Sequence, residues 1–102
     1  MVKLVVLYKK PADVRAFEEH FSTVHLRLVE QVPGIVKTEL SRCFGGPAGE
    51  PPYYLLFEAY FADRAALEAA LQSSENRAAD RDLMSFAKDI ATVLFADAYE
   101  SR

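Results

Sequence analysis

Residues 2–9 (Val-Lys-Leu-Val-Val-Leu-Tyr-Lys) are rich in β-branched and aromatic side chains and predict a strand that ends before Pro11. From there the apolar positions change period. Val14, Phe17, Phe21, Val24 and Leu28 recur at spacings of three and four, the single stripe of an amphipathic helix. Asp13 or Pro11 opens this helix and Pro33-Gly34 stops it, so it is expected to end near residue 31. Residues 35–44 predict a second strand of mixed polarity, and the loop 45–52 (GGPAGEPP) a turn into a third, most apolar strand at 53–61. Two strands around a compact loop imply an antiparallel hairpin. Asp63 caps a helix carrying Leu67, Ala70 and Leu71. Ser73 or Ser74 caps another carrying Leu83, Phe86, Ala87 and Ile90, and residues 93–99 predict the last strand.

The order β-α-β-β-α-β is the split βαβ motif, which predicts an α+β, ferredoxin-like domain over residues 1–102: a four-stranded antiparallel sheet with helices on one face. Both faces of the sheet are expected to be apolar. In the third strand Tyr53, Leu55, Phe57, Ala59 and Phe61 point one way, and Tyr54, Leu56, Glu58 and Tyr60 the other. Helices cover one face only. An apolar second face exposed to water is avoided by soluble monomers, which predicts a homodimer packed sheet to sheet.

Composition narrows the function. Twelve Lys and Arg scattered against fifteen Asp and Glu leave a net charge of −3, and no basic stripe suited to nucleic acid. The one cysteine, Cys43, excludes an intramolecular disulfide and a cysteine-based metal cluster within the chain. The N-terminal apolar run is too short for a signal peptide and no run is long enough for a membrane span, so the expected location is the cytoplasm.

The stretch Phe17-Glu-Glu-His20-Phe21 followed by His25, Leu28-Val29 and Pro33-Gly34 resembles the EthD-like proteins, named for a protein linked to ethyl tert-butyl ether degradation. The resemblance runs through the whole element order. It departs at Leu26-Arg27, where the family has a small residue or proline, and in the polar second strand. It implies a dimeric α+β barrel, a group that includes polyketide and aromatic cyclases, cofactor-free monooxygenases, muconolactone isomerases and haem-degrading enzymes. The absence of Trp sets this chain apart from the haem-degrading branch. Fold alone does not choose among these functions.

His25 is the leading site candidate. At about 100° per residue it lies about 40° from Phe21 and faces the sheet, where Val5, Leu7, Leu55 and Phe57 are expected opposite. A neutral imidazole in an apolar pocket is suited to general acid or base work. The other reading is a histidine bonded to a backbone carbonyl at the core edge. Phe21, Tyr53, Leu55, Phe57 and Phe86 are the expected ligand-contacting residues. His20 is expected at the surface or the boundary of the core. Regular helix geometry puts it about 140° from His25, too far for the two to chelate a metal, and no metal or other cofactor is called for. Glu58 is expected on the sheet face away from His25, bonded to tyrosines or to cations of a partner chain. Two functions follow: a protein acting on a small apolar or aromatic metabolite through His25, as in a cofactor-free isomerase, cyclase or oxygenase; or a non-catalytic accessory or small-molecule-binding dimer in which His25 is structural.

Overall fold

The computed structural model describes residues 1–100. Strands β1 (Val2–Tyr8), β2 (Lys37–Arg42), β3 (Leu55–Phe61) and β4 (Ala91–Asp97) form one sheet in the order β2-β3-β1-β4, every neighbouring pair antiparallel. The predicted element order is present, with β4 beginning two residues before the expected start. Helices α1 (Val14–His20), α2 (Leu26–Val29), α3 (Arg64–Leu71) and α4 (Ser74–Phe86) pack on one face.

Three side chains start helices by accepting from free N–H groups. Asp13 accepts from Ala16 at 3.0 Å, Asp63 from Ala66 at 2.8 Å and Ser73 from Asn76 at 3.1 Å. Gly34, at φ +86°, ends the first helical stretch in a backbone conformation that side-chain-bearing residues rarely adopt.

Cross-strand pairing decides which side chains meet the helices. Val2, Leu4, Val6 and Tyr8 pair with Phe61, Ala59, Phe57 and Leu55, and these eight share the helix-facing side. The expectation that Val5 and Leu7 lie opposite His25 is therefore corrected to Leu4, Val6 and Tyr8. Val5 pairs with Glu58 and Leu94 on the outer face. The core is the helix-side set, with Tyr8, Phe21, Phe61 and Leu55 wholly buried. Phe17 stacks on Phe21 at 5.7 Å, and Tyr8 meets both edge-on.

β2 is exposed along its whole length, which explains its polar sequence. Arg42 grips Glu18 of α1 with two bonds, at 3.0 and 2.7 Å, and Tyr54 donates to the same carboxylate. This ties the edge strand to the first helix and holds Glu18 below the usual carboxylate range.

Candidate functional site

The first helical stretch is not a regular α-helix. Between α1 and α2, residues Phe21–His25 form a π-helical turn, in which the N–H of Leu26 bonds the carbonyl of Phe21 five residues back. This turn brings residue i+5, not i+4, back over residue i. His20 and His25 therefore share a face, and the expected separation of about 140° does not hold, because it assumed an unbroken α-helix.

Both imidazoles converge on Asp82 of α4. His25 Nδ1 lies 2.9 Å from Asp82 Oδ2, and His20 Nε2 lies 2.8 Å from Oδ1 and 3.1 Å from Oδ2. His25 is 5% exposed, whereas about a third of the His20 side chain, 34%, meets solvent. A carboxylate accepts, so the arrangement places N–H on His25 Nδ1 and leaves Nε2 with the lone pair. His25 is thus bonded to a side-chain carboxylate rather than to a backbone carbonyl. Burial pushes its imidazole below the ordinary value of 6.5, against the upward pull of Asp82, and His20 pushes it further down. The ring packs 5.1 Å from Phe86 and 5.8 Å from Phe21. Nearby, the Tyr8 hydroxyl is fully buried with no hydrogen-bond partner among the described residues, and burial and the Asp82 charge push it well above its ordinary value.

A cavity of about 260 Å³ lies between this histidine and the sheet. His25 forms part of its wall, with Leu4, Val6, Phe57 and Ala59 from the sheet and Leu83 from α4. It opens beside β4, where Val93 and Phe95 line it and remain about half exposed, at 45% and 55%. Of the expected ligand-contacting residues, Phe57 lines this cavity. Phe21 and Phe86 flank the imidazole from behind, and Leu55 is buried in the core. Tyr53 is elsewhere: it borders a recess with Lys10, Cys43 and Phe44, because β3 begins only at Leu55 and the chain bends away before it. No group of three or more His, Cys, Asp or Glu among the described residues is arranged to hold a metal ion.

Asp82 is the residue that sequence reasoning missed. It sits in a charged run and is invisible as a site residue there. Glu58 stands on the outer face as expected, beside a tyrosine and a lysine of its own chain. Lys3 donates to it at 3.1 Å, and the Tyr60 hydroxyl, which gives its one hydrogen to Glu39 at 2.8 Å, lies 3.5 Å from it.

A four-stranded antiparallel sheet with helices on one face and a histidine-walled cavity between the layers defines an α+β protein of the ferredoxin-like class. The chain belongs to the EthD domain family, which it matches over residues 9–90. It is 34% identical over 97 residues to an uncharacterised 11.0 kDa protein of the thcB–thcC intergenic region of Rhodococcus erythropolis, spanning 95% of this chain and 94% of that one. An ethyl tert-butyl ether D family protein of Bacillus halodurans C-125 superimposes with a TM-score of 0.93 at 35% identity, over 97% of this chain and 99% of that one. Two more distant structures share the fold. SnoaB, a cofactor-independent oxygenase from Streptomyces nogalater, has a TM-score of 0.70 at 17% identity over 98% and 94% of the two chains. A dimeric ferredoxin-like protein from Jannaschia sp. CCS1 has a TM-score of 0.70 at 14% identity over 96% and 100%.

Proposed function

We propose that this protein moves a proton on a small apolar or aromatic molecule held between the helices and the sheet, with His25 as the shuttle. One observation carries the reading: the 2.9 Å bond that His25 Nδ1 donates to Asp82, on a ring that walls an apolar cavity. Asp82 fixes the tautomer that leaves Nε2 basic and stabilises the imidazolium formed when Nε2 takes a proton. Burial keeps the resting ring neutral. His20, one-third exposed and bonded to the same carboxylate, links this buried pair to solvent. An isomerisation, a cyclisation or a cofactor-independent oxygenation each needs such a base beside an apolar substrate. That a cofactor-independent oxygenase shares this fold supports the scaffold's fitness for that chemistry.

The working unit we propose is a homodimer of this single domain, residues 1–102, closed through the outer sheet face. Val5, Leu7, Leu56 and Leu94 lie on that face by strand register, and a distant neighbour in fold is dimeric.

Deuterium exchange tests the chemistry. 2-Tetralone, a two-ring ketone with acidic C–H groups, is followed by proton NMR in D2O. The native protein is expected to speed exchange over free imidazole by at least about 100-fold. His25→Phe is expected to abolish the gain while keeping its circular dichroism, and Asp82→Asn to lower it by about tenfold or more. Tight binding of the ketone with no acceleration would instead favour the non-catalytic binding dimer.

A further inference from the structure

The charge distribution around the cavity points to more than size. Among the described residues, three that line the cavity carry polar side chains, namely His25, Asn76 and Asp80, and none is lysine or arginine. Asn76 and Asp80 are four apart on α4 and share the face that carries Ala79 and Leu83 into the same cavity. Asn76 spends one N–H on a long bond of 3.4 Å to the Leu71 carbonyl, which leaves its amide oxygen to accept. Asp80, at the exposed rim, makes no salt bridge among the described residues. Among the described residues, every polar side chain that meets the cavity thus offers an acceptor or a negative charge, and the one remaining amide hydrogen of Asn76 is the exception.

We infer that the cavity selects an uncharged molecule bearing a hydroxyl at the end that meets Asn76 and Asp80, and rejects the corresponding carboxylate. This rests on the reading of the His25 cavity as a ligand site and adds the class of ligand. A carboxylate entering an apolar cavity loses its water shell and needs a cation or several N–H donors in exchange. Among the described lining residues it would meet no lysine or arginine, and it would meet Asp80 at the rim and Asp82 behind the imidazole. A hydroxyl has the opposite fit. It donates to the Asn76 oxygen or the Asp80 carboxylate and leaves its hydrocarbon body to Leu4, Val6, Phe57 and Leu83. The volume of about 260 Å³ suits one or two rings.

The test is a fluorescence titration of the folded protein at neutral pH with three matched probes: 2-naphthol, 2-naphthoate and naphthalene. 2-Naphthol is expected to bind at least about tenfold more tightly than 2-naphthoate. Asn76→Leu is expected to weaken 2-naphthol by roughly fivefold and to leave naphthalene within about twofold. Asp80→Lys is expected to narrow the gap between 2-naphthol and 2-naphthoate by about threefold or more. Thermal melts of each variant confirm that the fold survives. Naphthoate binding as tightly as naphthol, or a preference unmoved by Asn76→Leu, would overturn this inference and leave the ligand site standing. Failure of all three probes to bind, naphthalene included, would remove the ligand site and the inference with it.

Discussion

His25 is buried and half compensated: desolvation lowers its affinity for a proton, and the Asp82 carboxylate restores part of it. The folded imidazole therefore titrates below the ordinary value of 6.5, and between the two values the unfolded chain binds more protons. Stability must then rise with pH across that window. The contribution is present above 6.5 and is lost as pH falls through the folded value. Melting temperature followed from about pH 8 to about pH 5 should drop with acid, and His25→Gln, which keeps a donor for Asp82, should flatten the upper part of that drop. An unchanged slope in the variant would mean that His25 is not held neutral by burial. The histidine was legible in the sequence through its place on the apolar stripe beside Phe21. Its partner was not, since a carboxylate in a charged helix looks like any solvated acid until α4 is packed against the first helix.

At the scale of the element, the π-helical turn decides the site. A π turn amounts to an α-helix carrying one extra residue, so His20 and His25, five apart, occupy the face that residues four apart would share in an α-helix. Removing one residue from the turn should therefore keep the two rings together. Thr23 is the suitable one: it is exposed, and its hydroxyl bonds only the Glu19 carbonyl one turn back, at 2.7 Å. The Thr23 deletion is expected to straighten the helix, change stability by no more than about 1 kcal/mol, and leave both imidazoles on Asp82. NMR of the imidazole nitrogens reads this directly. A folded variant in which His25 titrates as a solvent-exposed histidine would contradict it. Nothing in the spacing of apolar residues announces a π turn: Phe17, Phe21, Val24 and Leu28 fit a regular helix, but the extra residue leaves Val24 40% exposed and packs Leu26 and Val29 against the core instead.

At the scale of the molecule, the outer sheet face divides into two halves. One carries Val5, Leu7, Leu56 and Leu94; the other carries the network of Lys3, Lys37, Glu39, Glu58 and Tyr60. Tyr60 has the Lys37 ammonium 4.5 Å from its ring centre. An interface formed there would bury the aliphatic half and leave the charged half at its rim, the division usual in protein interfaces. Leu94 is among the exposed large apolar residues. Leu94→Lys is expected to weaken self-association by about tenfold or more without loss of the monomer fold, as light scattering over a concentration series would report. An unaltered dimer would move the interface to another face.

From the sequence alone came the element order, the helix start at Asp63, a choice of Asp13 or Pro11 and of Ser73 or Ser74 for the other two starts, the apolar helix-facing side of the sheet, and His25 as the leading site candidate. Those features follow from local periodicity and from caps that act within a few residues. Tertiary structure decided the rest. Strand register, set by pairing across the sheet, turned Leu4, Val6 and Tyr8 rather than Val5 and Leu7 toward the helices. Packing of α4 brought Asp82 to both histidines across 57 and 62 positions of chain. The bend before β3 carried Tyr53 away from the cavity. Each of these depends on contacts between residues far apart in the chain, and no local pattern encodes which distant side chain a folded backbone will place against another.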